Sequence, residues 1–200
     1  MAVSRVKTSS ALQGFAKYRS MLAGNAAYDP GAFVSIASAT GTGSSGTITF
    51  SSIPSTYVAL QLRMLTRDAF ASTGVDYVKL RLNNDSTTVY ARHQLSGDGA
   101  TASATAGTAL DNILLYGNPL GSNTANVMGV YIVDIHNYAS TSQNKTVRAF
   151  SGCDLNGSGN VYLTSGLWPS TSAVNRLDII AGGTNFPTTT SFALYGIKGA

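Results

Sequence analysis

Glutamate is missing altogether: all nine acids of the 200-residue chain are aspartate. Charged residues make up only 11% of the sequence, under half the usual share of about 25%. Glutamate is a good helix former, and Ser, Thr, Asn, Asp and Gly, which stand in its place, favour strands, turns and caps. The deficit therefore predicts a nearly all-β chain. A single cysteine, Cys153, excludes an internal disulfide framework and a CxxC zinc site. No segment approaches the roughly 20 apolar residues of a membrane-spanning helix, and residues 1–28 lack the continuous apolar core of a signal peptide. These absences lead us to expect a soluble protein made in a reducing cytoplasm. So little charge also suits a surface that is covered in an assembly, because an isolated monomer carries more charge for solubility.

What charge there is lies unevenly. Arg5, Lys7, Lys17 and Arg19 precede the first acid, Asp29, and from Asp29 onward nine basic residues balance nine acidic ones. The net charge of +4 thus belongs to a leader running to about Pro30, and the body is neutral. A basic isoelectric point with this origin does not argue for nucleic-acid binding, which needs a concentrated basic face. Within the leader, Leu12, Phe15, Arg19 and Leu22 could share a helical face, but Gly14 interrupts it and no capping box begins it. The expected form is an arm with one short helical turn at residues 1–30, followed by a β-sandwich domain at residues 31–200.

Period-two alternation marks that domain. Ile48 and Phe50 alternate with Thr47 and Thr49, Leu60, Leu62 and Met64 with Gln61 and Arg63, and Val78, Leu80 and Leu82 with Lys79 and Arg81. This is the pattern of half-buried antiparallel strands. Residues 127–133, VMGVYIV, are apolar in both phases, which predicts a central strand covered on both sides. Further strands are expected near 110–116, 145–153, 161–164, 174–181 and 191–197. About ten strands separated by turns imply an antiparallel β-sandwich of jelly-roll-like form. Residues 96–109, SGDGATASATAGTA, read as a low-complexity loop, an exposed tip or a neighbour-contacting segment.

Several motifs invite chemistry and lose it on inspection. GTGSSG at 41–46 has the letters of a dinucleotide fingerprint, which needs a following helix; the strand-like TITF follows instead. DLNGSGN at 154–160 spaces oxygen ligands like a calcium loop, but its twelfth position is Ser165 where a bidentate Glu is needed. Asn156-Gly157 reads instead as a hairpin turn. Asp134 and His136 share a strand face and could orient one another for catalysis or hold a metal with a third ligand. His93 is the only other histidine, so a polar strand end is the expectation. Cys153 reads as a small buried hydrophobe. Trp168 and the ten tyrosines should lie in the core or at subunit interfaces, with Trp168 and Tyr162 the candidates for an exposed sugar-stacking platform.

Four stretches, RVKTSSALQGFAKYRSMLAGNAAY, GTITFSSIPSTYVALQLRMLTR, VKLRLNNDSTTVYARHQLSGDG and the terminal FALYGIKG, together resemble a group of small structural proteins of tailed bacteriophage virions. The most recognisable pieces are Ile-Pro-Ser-Thr-Tyr, Leu-Asn-Asn-Asp and Leu-Tyr-Gly-Ile. Such proteins serve as capsid decoration or cement proteins, head fibres or tail-fibre components, and the resemblance carries over no active-site residue. It implies a non-enzymatic protein without cofactor or metal, located in the virion and partnered by the major capsid or another virion protein. A homo-oligomer, a trimer by analogy, is implied as well, with no membrane or nucleic-acid partner. The leader would then anchor the sandwich through the cations Arg5, Lys7, Lys17 and Arg19 and the apolar Phe15, Tyr18, Met21 and Leu22. Ordering such an arm costs about 1 to 2 kcal/mol per residue, which only extensive contact offsets. A tail-tip module recognising host glycan through Trp168 or Tyr162 is the alternative.

Overall fold

The computed structural model describes residues 31–199, and the chain divides after Gly31. The described residues form twelve strands and no helix: β1 (Phe33–Thr40), β2 (Thr47–Phe50), β3 (Ala59–Thr66), β4 (Val75–Leu82), β5 (Tyr90–Gly97), β6 (Ala102–Leu110), β7 (Ile113–Pro119), β8 (Gly129–His136), β9 (Lys145–Asp154), β10 (Gly159–Trp168), β11 (Leu177–Ala181) and β12 (Ser191–Ile197). They build an eight-stranded sheet in the order β1-β12-β3-β8-β9-β10-β5-β6 and a four-stranded sheet in the order β2-β11-β4-β7. Every pairing is antiparallel, and the two sheets pack as a sandwich.

Alternation decides which side chains enter the core. From the large sheet come Leu60, Leu62 and Met64 of β3, Tyr131, Val133 and Ile135 of β8, and Val147 and Ala149 of β9. From the small sheet they meet Val78, Leu80 and Leu82 of β4, Ile113 and Leu115 of β7, and Leu177 and Ile179 of β11. Burying each such aliphatic side chain contributes about 1.5 to 3 kcal/mol, so this seam holds the domain together.

The Ile-Pro-Ser-Thr-Tyr, Leu-Asn-Asn-Asp and Leu-Tyr-Gly-Ile segments have structural work within this body. Ile53 is in the core, the Pro54 carbonyl accepts from the Tyr138 hydroxyl, and the Tyr57 ring lies over Gly196, where a Cβ would stand 2.3 Å from it. The Ile-Pro-Ser-Thr-Tyr and Leu-Tyr-Gly-Ile segments therefore meet, and glycine is required at their contact. In Leu-Asn-Asn-Asp, Asn83 and Asn84 take left-handed conformations at φ 52° and 57°. Asn83 Oδ1 accepts from the backbone N–H of Asn175 (2.9 Å) and Arg176 (3.2 Å), and Asp85 accepts the Trp168 indole N–H at 2.7 Å.

Three expectations need correction. Residues 96–109 are not a loop: they are the end of β5, a four-residue turn and most of β6. Alanine, serine, threonine and glycine gave β6 no apolar alternation to read, and the strand forms by pairing along β5. The strands β1 and β5 also went unread, for the same shortage of large apolar residues in β1 and the interleaved charges of β5. Finally, β8 is central as expected but covered on one side only, because Val130 and Ile132 are exposed while Tyr131, Val133 and Ile135 are buried. The DLNGSGN stretch is the β9–β10 hairpin, with Asn156 at φ 61° and Gly157 at φ 112°, as a two-residue turn of this kind demands.

Candidate interaction face

The residues that β8 leaves uncovered are part of a larger surface. Cross-strand register places Leu65, Val130, Gly152, Val161, Gly97 and Ala102 in one row across the outer face of the eight-stranded sheet. Arg63, Ile132, Phe150, Leu163, Leu95 and Ala104 form the next row. Phe150 is 59% exposed, Leu95, Val130 and Val161 55%, Leu163 49% and Ile132 41%. Scattered exposed apolar residues are ordinary, but contiguous patches beyond a few hundred Å² mark interaction sites.

A polar row borders this apolar field: Gln61, Asp134, Arg148, Ser165 and His93 stand in register. Asp134 accepts from Gln61 Nε2 at 2.9 Å and from Arg148 at 3.1 Å, so its carboxylate is engaged by these two groups and not by His136. His93 and His136 line one shallow trough of about 740 Å³ with Leu95, Leu163, Arg148 and Ser165. Among the described residues no three metal-ligating side chains cluster, and the Asp134–His136 pair acquires no third partner. At the far side of the face, Arg63 lies 5.3 Å from the Phe33 ring centroid and 5.1 Å from that of Tyr195, contacts that use its charge within the fold.

Other charges of the body are engaged likewise. Arg67 donates to the carbonyls of Gly121, Asn123, Thr124 and Val127, at 2.7 to 3.0 Å, and so shapes the loop that enters β8. Lys145 is buried, with its ammonium 2.7 Å from the Ser140 carbonyl and 2.6 Å from that of Gln143. The buried Asp68 accepts from the backbone N–H of Phe70, Gly183 and Thr184, which ties two loops together. These groups are structural.

The sugar-stacking candidates are not on the surface. Trp168 is 3% exposed and Tyr162 8%; both point inward from β10, Trp168 stacked on Tyr90 with centroids 6.4 Å apart and Tyr162 beside Tyr116. Burial pushes the Tyr162 phenol up to about 12. The correction has a simple cause: both phases of β10 are apolar or small, and the bulkier set, Tyr162 and Trp168, fills the core while Val161, Leu163 and Leu167 face out. Cys153 is buried and free, and burial raises its thiol above the ordinary value, in keeping with a packing role. Arg5, Lys7, Phe15, Lys17, Tyr18, Arg19, Met21 and Leu22 lie outside the described residues. No family model, curated protein or solved structure matches the chain.

Proposed function

We propose that the chain is a non-enzymatic structural protein of a tailed-phage virion, a capsid decoration or cement protein that docks on the assembled head. The observation that carries this reading is the broad apolar outer face of the eight-stranded sheet, a surface suited to contact with another chain within an assembly. Its setting supports the same reading. Strands β1 to β5 and β10 to β12 alternate between the sheets, with β2, β4, β7 and β11 in the small one, an order in keeping with a jelly-roll-like winding. The hairpin β8–β9 lies between β3 and β10, and it supplies Val130, Ile132 and Phe150 to the face. Cementing works by mass action: a protein that binds the assembled shell and not the dissociated subunits stabilises assembly. The basic leader is the anchor in this reading, and the sandwich is the body it holds. Receptor recognition at a tail tip is the weaker reading, since its two aromatic candidates are core residues.

Cryo-electron microscopy of the intact particle, with the full chain and with residues 1–28 deleted, tests this. Many copies on the icosahedral shell, lost on deletion, are expected. A few copies confined to the tail would overturn the cement reading.

A further inference from the structure

We infer that the outer face of the eight-stranded sheet is covered by a second copy of this chain. The inference rests on the reading of that face as a protein interface and names its occupant. Three observations fit a copy as the occupant. The first is charge. Asp134 is neutralised by Arg148 on the same face, and Arg63 is held over the Phe33 and Tyr195 rings. Arg63 keeps its positive charge, but the face carries no run of like charge that would repel an identical copy.

The second is area. Six adjacent strands, β3-β8-β9-β10-β5-β6, at about 4.8 Å spacing and about 26 Å long, present on the order of 700 Å². Stable interfaces bury about 600 to 1,000 Å² per partner, so a face of this size falls within the range of a lasting self-association. The third is texture. Large side chains (Phe150, Leu163, Leu95) grade into Ala102, Ala104 and Ala106 along β6, giving ridge and shallow on one sheet. Two such sheets laid face to face, about 10 Å apart, can interdigitate as the inner faces of a sandwich do. It also accounts for β8: a strand apolar in both phases is what a sheet covered on both sides requires, and the second cover comes from the neighbouring copy.

The test is native mass spectrometry of the full-length protein at micromolar concentration, wild type beside Leu163→Arg, with Thr49→Arg on the small sheet as control. Wild type and Thr49→Arg should run as two or more chains, and Leu163→Arg as one chain of 20.7 kDa with an unchanged circular dichroism spectrum. Should Leu163→Arg not fold, Phe150→Ser, which removes a side chain already 59% exposed, should weaken association at least tenfold in sedimentation equilibrium. A wild-type protein that stays a single chain, or an oligomer that survives both substitutions, overturns the inference. Failure of the broader reading looks different: a chain that self-associates through Leu163 yet is absent from the particle refutes the virion role alone. Density for capsid protein against Leu163 on the particle refutes self-association alone.

Discussion

The two sheets of this sandwich share one core yet turn very different faces to solvent. On the small sheet the outward positions are Thr47 and Thr49 of β2, Lys79 and Arg81 of β4, Asp178 and Ile180 of β11 and Leu114 of β7. That face is finished by its own polar network: Asp178 is 2% exposed, accepting from Thr49 Oγ1 at 2.7 Å and from Arg176 Nε and NH2 at 2.8 to 3.0 Å. On the large sheet the corresponding positions hold Val130, Ile132, Phe150, Val161, Leu163 and Leu95, and the Asp134–Arg148 ion pair leaves the Arg148 side chain 64% exposed. A sheet with one solvated face normally alternates apolar in and polar out. The small sheet follows that rule except at the half-buried Ile180 and Leu114, and the large sheet departs from it with exposed apolar residues where a partner would sit.

Substitutions that separate the faces sharpen this comparison. The largest contrast is between Leu163→Arg and Thr49→Arg. The first should abolish self-association; the second should leave assembly intact and cost about 1 to 2 kcal/mol of chain stability, because it removes the Thr49 hydrogen bond to the buried Asp178, read by native mass spectrometry and urea unfolding. Next comes inside against outside on a single strand. Trp168→Ala should cost about 3 to 5 kcal/mol of chain stability, whereas Leu167→Ser, one residue away and already 37% exposed, should cost under about 1 kcal/mol.

A smaller contrast compares the two outward aspartates. Asp178→Ala strips a buried carboxylate from its donors and should cost about 2 kcal/mol, while Asp134→Ala removes a pair whose arginine is solvent-exposed and should cost about 1 kcal/mol in the separated chain. Equal losses would erase the distinction between a self-finished face and an unfinished one.

The smallest effect is an acid step at the Trp168 end of the core. Hydrogen bonds from Thr87, and then from Trp168, hold the Asp85 carboxyl below the usual carboxylate range. With its folded value depressed, the unfolded chain takes up the proton first, so this contribution is present above about pH 4 and lost as pH falls through the folded value. Trp168 fluorescence should shift to the red in that acid window, and Asp85→Asn should remove the step.

Much of the body was legible because period two is a strong signal wherever one face is apolar. Strands β2, β3 and β4 announced themselves through Ile48, Leu62 and Leu80, and the β9–β10 turn through Asn156-Gly157. What stayed hidden lacked contrast between phases. In β6, alanine and threonine differ too little to alternate, and its strand state comes from pairing with β5. In β10 both phases were apolar, so the sequence could place Trp168 and Leu167 on opposite faces without saying which was inside. The face itself was half legible: VMGVYIV pointed to two covers, but the second is not supplied by the described chain, and no pattern within one strand shows that five neighbours will align their exposed residues beside it.

The most direct test of the account is thiol accessibility on the two outer faces. In a chain carrying Cys153→Ser, single cysteines at Leu163 and at Thr49 are reacted with a maleimide under reducing conditions at micromolar protein concentration. The account predicts that the thiol at 163 is protected at least tenfold relative to the thiol at 49, and that dilution or Phe150→Ser releases it. Equal labelling rates at the two positions, unchanged by concentration, would contradict it.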